Sequence, residues 1–270
     1  MIIEKPITIE DISSDLRQLG VRPGMTLLVH SSLKSLGGWI VGGAEAVIIA
    51  LEDVLGDKGT LVMPAHSADL TDPSTWQNPP ADPRWWQMIR DSMPPFDADF
   101  TKTSYVGVIP ETFRKQKGVI RSAHPHVSFT ARGRNAEIIT SSHPLSYCLG
   151  DNSPLAKLYD LGAYVLMLGS AYENNTSFHL AEYRAKWGGK KEESLSAPIR
   201  RENNRTLWET FYDINFNSDD FEQIGAAFEA DCKEGEGYTR GLVQNSRCVL
   251  AQQRLMVDYA VKWLEENRIE

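Results

Sequence analysis

"MTLLVHSSLKSLGGWIVGGAEAVIIALEDVLGDKGTLVMPA", residues 25–65, decides the fold class. Its first apolar run ends at His30 and reads as a short buried strand. A polar, glycine-rich connection follows, "SSLKSLGGWIVGG", and then "AEAVIIALEDVLG", apolar at helical spacing with Gly56 as its C-terminal cap. "GTLVMPA" is a second buried strand. Strand, loop, helix and strand make a βαβ unit, because parallel strands need a long crossover. The chain therefore reads as an α/β fold: a mixed, largely parallel central sheet flanked by helices.

Outward from this unit, Thr8 with Glu10 and Asp11 starts an N-terminal helix whose apolar residues Ile9, Ile12, Leu16 and Leu19 share a face. "AYVLMLG", residues 163–169, is the clearest further buried strand. Helices are expected around Ile109–Arg114, over "AEIIT", and over the C-terminal "VLAQQRLMVDYAVKWLEENR". "SLSAPIR" and "RTLWETFYDI" flank a turn near Asn203 and Asn204 and predict a small β-hairpin subregion. Residues 64–100 hold seven of the 14 prolines, with Trp76, Trp85, Trp86 and six aspartates. A long insert rich in proline and tryptophan reads as a binding loop, since disordered segments are poor in tryptophan. With no repeat or clean linker, residues 1–270 are expected to form one domain.

With 28 basic and 36 acidic side chains the net charge is −8, which disfavours nucleic acid and anionic membranes and suits a cationic substrate. Cys148, Cys232 and Cys248 lack paired spacing, so reduced thiols are expected. The N-terminus lacks a continuous apolar leader, and no stretch approaches the roughly 20 apolar residues of a membrane span. A cytoplasmic protein is expected, and a homo-oligomer is compatible with the sequence.

The chain has no dinucleotide fingerprint, no P-loop and no nucleophile elbow. Three stretches can carry chemistry. The Ser31–Gly43 connection offers hydroxyls, Lys34 and a helix start at Gly42 and Gly43, a place for an anion. "RSAHPHVSF" gathers Arg121, His124 and His126, and with His179 it admits a metal-dependent hydrolase. "ENNTSFHLAE" puts His179 and Glu182 three residues apart on one helix face, behind a strand whose C-terminal end is where open α/β sheets bind ligands. A carboxylate there orients the imidazole of a general base.

At these residues the chain resembles the aminoglycoside 3-N-acetyltransferases. "VHSSLKSLG" with "GGAEAVIIAL", "LVMPAHSADLTDPSTW", "RSAHPHVSFTARG" with "SPLAKLYDLGAYVLMLG", and "NNTSFHLAE" match the family's blocks in order and spacing. The likeness runs from about Ile7 to the C-terminal helix and is strongest to the shorter Bacillus-type members, distinct from GNAT acetyltransferases.

The resemblance implies acetyl transfer from acetyl-CoA to the 3-amino group of a 2-deoxystreptamine ring, by direct attack in a ternary complex and without a metal. It implies a catalytic group of His179, Glu182, His124 and Thr176. It implies CoA contacts from Ser31, Ser32, Leu33, Lys34, Ser35, Leu36, Gly37, Val41, Gly42 and Gly43, with Arg121 and Ser122 contributing. The small cationic amine is expected to meet Asp69, Asp72 and Trp76 in the insert. A non-antibiotic amine is the alternative acceptor.

Overall fold

The computed structural model describes residues 5–203 and 205–268. Residues 1–4, on which the expectation of no leader partly rests, and Asn204, expected in the hairpin turn, lie outside the described residues. In chain order the elements are α1 (Ile9–Leu19), β1 (Thr26–Ser31), α2 (Gly43–Leu55), β2 (Thr60–Pro64), α3 (Trp86–Ser92) and α4 (Val108–Phe113). Then come β3 (Ile120–Arg121), β4 (Phe129–Gly133), α5 (Ala136–Thr140), α6 (Pro154–Asp160), β5 (Tyr164–Leu168) and α7 (Ser177–Arg184). The chain ends with β6 (Glu192–Glu202), β7 (Arg205–Ile214), α8 (Phe221–Asp231), β8 (Tyr238–Val243), β9 (Ser246–Gln252) and α9 (Gln253–Asn267).

Seven strands form one sheet in the order β3-β4-β2-β1-β5-β9-β8, and β6 and β7 pair as a separate hairpin. The βαβ reading holds: β1 pairs in parallel with β2 on one side and β5 on the other. The sheet is mixed, but its parallel part is confined to these three strands. The β2–β4, β3–β4, β5–β9 and β8–β9 pairings are antiparallel. Short connections explain this: β9 follows β8 after a tight turn at Gln244, a geometry that only antiparallel neighbours allow. The C-terminal stretch expected as all helix divides accordingly. Val249 to Gln252 belong to β9, and the helix starts at Gln253.

Alternation along the central strands places the core on both faces of the sheet. Leu28, Val165 and Met167 pack with α6, α7 and α9, whereas Leu27, Val29, Leu166 and Leu168 pack with α1 and α2. Thr8 caps α1 as expected, accepting from the Asp11 amide while the Asp11 carboxylate accepts from the Thr8 amide. The proline-rich insert is ordered against the hairpin: Trp208 Nε1 donates to Arg90 O at 2.9 Å and Phe96 N to Pro198 O at 2.9 Å. Its two ends meet where Ser104 N donates to His66 O at 2.8 Å.

Candidate active site

The C-terminal ends of β2, β1 and β5 open into a cleft of about 760 Å³. His66 lies just past β2, His30 and Ser31 end β1, and Gly169 and Ser170 follow β5. Tyr105 to Val108 form a facing wall, and Thr176 and His179 enter from the start of α7. Gly169 has φ +63°, and a Cβ there would collide with the hydroxyls of Ser35 and Ser246. Only glycine lets the end of β5 lie against the loop after β1.

His179 is held on three sides. Its Nδ1 lies 2.5 Å from Glu182 Oε2, and the rings of Phe216 and Phe221 stand 4.9 and 4.8 Å away. Glu182 is fully buried. Its other oxygen accepts from Arg268 Nη1 at 2.5 Å and from the Asn217 amide at 3.0 Å. Arg268 in turn makes two 2.6 Å bonds to Asp220 and lies over the Trp187 ring. A carboxylate accepts only, so Nδ1 carries the proton and Nε2 keeps its lone pair. Nε2 has no partner among the described residues, and His179 lines the cleft.

Thr176, expected in the catalytic group, precedes α7 and makes no side-chain capping bond; the Ser177 amide donates to Asn175 Oδ1 at 3.2 Å. The Thr176 hydroxyl instead sits 3.3 Å from His30 Nε2. Burial, reinforced by the neighbouring His179, pushes His30 down to about 3, so it stays neutral.

Of the residues expected along the β1 loop, Ser31, Ser32, Leu33 and Lys34 line the cleft. Leu33 and Lys34 also line an adjoining groove of about 590 Å³ with Gly37, Gly42 and Gly43. Ser35 is turned inward to Ser32 O at 2.7 Å, Leu36 is core, and Val41 is exposed outside both linings.

The "RSAHPHVSF" residues are displaced from the role expected of them. His124 is fully buried, with Nδ1 accepting from the His126 and Val127 amides, both at 3.1 Å, and Nε2 on Leu145 O at 3.1 Å. Arg121 donates to Ala65 O at 2.6 Å and to Ser128 Oγ at 2.8 Å. Ser122 binds His143 Nδ1 at 2.9 Å. Arg121 braces the base of the insert, His124 and Ser122 hold the local turns, and none of the three lines the cleft.

The His124–His126–His179 metal reading fails on the same ground: His126 Nε2 is also committed to Leu70 O, at 3.0 Å. Among the described residues no group of three His, Cys, Asp or Glu is placed to hold a metal ion. The insert's expected substrate contacts are likewise elsewhere. Asp72 is bound at both oxygens by Arg90, Trp76 donates to Thr71 O, Asp69 is exposed, and none lines the cleft. Sequence reasoning left His66, Tyr105, Asn217 and Arg268 out of the site. His66 follows the end of a strand legible in the sequence, a signal that could have found it; Tyr105, Asn217 and Arg268 arrive through tertiary packing that nothing local marks.

Comparison with known proteins finds relatives along nearly the whole chain. A family model described as aminoglycoside 3-N-acetyltransferase matches residues 28–265. The chain is 43% identical over 263 residues to the Bacillus subtilis (strain 168) SPbeta prophage-derived aminoglycoside N(3')-acetyltransferase-like protein YokD, covering 97% of this chain and 94% of that one. It is 34% identical to aminoglycoside N(3)-acetyltransferase VII of Streptomyces paromomycinus, covering 97% and 93%.

Among solved structures, YokD from Bacillus subtilis superposes with a TM-score of 0.92 at 42% identity, covering 98% of this chain and 95% of that one. AAC-IIIb in its binary complex with CoASH gives 0.84 at 30% identity, covering 98% of each chain. AAC-VIa bound to sisomicin gives 0.85 at 25%, covering 98% and 100%. By sequence and by fold, the chain belongs to the aminoglycoside 3-N-acetyltransferase family.

Proposed function

We propose that the protein transfers acetyl from acetyl-CoA to an amine held in the cleft, with His179 Nε2 as general base. The observation that carries this reading is the buried Arg268–Glu182–His179 chain, which fixes the tautomer and leaves one basic nitrogen at the cleft. An amine arrives mostly as ammonium and must lose a proton before it can attack a thioester. A base of suitable pKa within reach of that proton contributes about 10²–10⁴-fold. The amine nitrogen then attacks the acetyl carbon, the carbon–sulfur bond breaks, and the CoA thiolate leaves. His179 takes the proton from nitrogen, and no acyl-enzyme is needed. Thr176 is the oxyanion donor in this reading: with His30 donating to Thr176 Oγ1, the threonine proton is free to face the cleft.

CoA fits the run from Ser31 to Gly43. The cleft and its adjoining groove meet at Leu33 and Lys34, giving an elongated path with a cationic side chain beside it. Ser31 Oγ is buried there without a partner among the described residues, as a donor awaiting a ligand would be. The CoASH complex of AAC-IIIb supports the same co-substrate. The relatives' names and the sisomicin complex of AAC-VIa support an aminoglycoside acceptor, attacked at the 3-amino group. A cytoplasmic setting accords with three unpaired cysteines and with no helix among the described residues long and apolar enough to cross a membrane.

The test is thiol release from acetyl-CoA across aminoglycosides with and without a free 3-amino group. Release confined to acceptors carrying that group is expected. Release independent of it would remove the regiochemistry, and CoA binding without release to any amine would remove the transfer.

A further inference from the structure

His66 is the cleft histidine that the transfer reading leaves without a task. It stands at the mouth of β2, where the proline-rich insert begins, and its carbonyl receives the Ser104 amide that closes the insert. The Phe129 ring packs edge-on against its imidazole at 5.6 Å, which limits how the ring can turn. His66 Nε2 is buried without a hydrogen-bond partner among the described residues, although the residue lines the cleft together with His179. An unpaired buried ring nitrogen costs free energy unless something binds it.

Its position separates it from the co-substrate run. Ser31 to Gly43 follow β1, whereas His66 follows β2 and faces Tyr105 to Val108 at the far end of the insert. Burial, reinforced by the neighbouring His179, pushes His66 down to about 3. A neutral imidazole has one donor and one acceptor, the complement of a hydroxyl. None of the insert's six aspartates lines the cleft, and three are held elsewhere: Asp72 by Arg90, Asp82 by Arg84, and Asp97 by the amides of Asp99 and Phe100. The cleft lining that comes from the end of β2 and the far end of the insert, Pro64, His66 and Tyr105 to Val108, holds no carboxylate.

We propose that His66 is a specificity-determining residue whose free ring nitrogen hydrogen-bonds a hydroxyl of the acceptor. The assignment rests on the acetyl-transfer reading. A site built to bond a hydroxyl discriminates strongly against an analogue lacking it, because its own polar group is then stranded.

Two probes isolate that bond: 2-deoxystreptamine, and cis-1,3-diaminocyclohexane, which keeps the 1,3-diamine ring without hydroxyls. Wild type is expected to favour 2-deoxystreptamine, whether read as kcat/KM or as competition against sisomicin. In His66→Ala that preference should shrink by up to about tenfold, the worth of one hydrogen bond. The KM for acetyl-CoA and the pH profile of kcat should not move. His66→Gln, which retains a donor and an acceptor, should keep most of the preference. Equal handling of the two rings by wild type, or an unchanged preference in His66→Ala, overturns the assignment. So does a rise in the acetyl-CoA KM alone, which would make His66 a co-substrate contact. Absence of thiol release by wild type with any amine, sisomicin included, instead removes the transfer reading on which the assignment rests.

Discussion

His179 and His124 are both histidines with a close partner in sequence, and the fold treats them in opposite ways. His179 shares a helix face with a carboxylate that is itself pinned by Arg268, and one ring nitrogen is left at the cleft. His124 folds back onto two amides and a carbonyl, so both nitrogens are used and the ring is sealed. A histidine is available for catalysis when its partner is a side chain on one nitrogen only. Once backbone groups take both nitrogens, the histidine becomes part of the scaffold. Burial agrees with this division, pushing His124 down to about 2.

That contrast breaks if the two sites respond alike to substitution. His179→Ala should lower kcat by about 10²–10⁴-fold while CoA affinity by calorimetry is retained. Glu182→Gln should follow at a slightly smaller loss, since the amide can present the wrong group to Nδ1 and lacks the charge that balances imidazolium. Arg268→Met should cost less in kcat, about tenfold, but about 3–5 kcal/mol in stability, because it leaves Glu182 buried without its cation. His124→Leu should leave kcat per folded molecule unchanged and lower stability by about 2–4 kcal/mol, from stranded backbone groups. A loss of turnover in His124→Leu with an unchanged urea midpoint would erase the distinction.

A smaller and more diffuse effect sharpens the same division. Burial pushes His30 and His66 to about 3, His124 to about 2 and His143 to about 4, against 6.5 for a free histidine. In the folded state these four stay neutral, whereas the unfolded chain takes up their protons as the pH falls through 6.5. The stability they contribute is therefore whole above about pH 6.5 and declines below it, by about 1.4 kcal/mol per histidine per pH unit until each folded pKa is reached. Urea midpoints should be level between about pH 7 and 8 and should fall steeply by about pH 5.5. A level profile down to about pH 5 would mean that these rings are hydrated.

The βαβ unit was legible because it rests on local signals: two apolar runs, a helix between them and glycine at its end. The His179–Glu182 pair was legible for the same reason, since three residues on a helix fix a shared face. Arg268 was not. It reaches Glu182 across 86 residues, and nothing around "EENRIE" marks it as different from any basic residue after a helix. Asp72 shows the opposite failure. The sequence gives its charge but not its partner, and Arg90, 18 residues on, takes both oxygens. Strand β8, at the sheet edge, went unread and most of β9 beside it was read as helix, because "YTRGLV" and "SRCVLAQ" mix charged, small and apolar residues.

The most direct test of the account is the tautomer of His179, read by nitrogen-15 NMR on the ring at about pH 8, where a free histidine is neutral. Held by Glu182, the ring should carry its proton on Nδ1, with Nε2 showing the shift of an unprotonated nitrogen, and Glu182→Gln should disturb that pattern. A proton found on Nε2 in the wild-type protein would mean that the nitrogen facing the cleft cannot accept one, and His179 would not be the base.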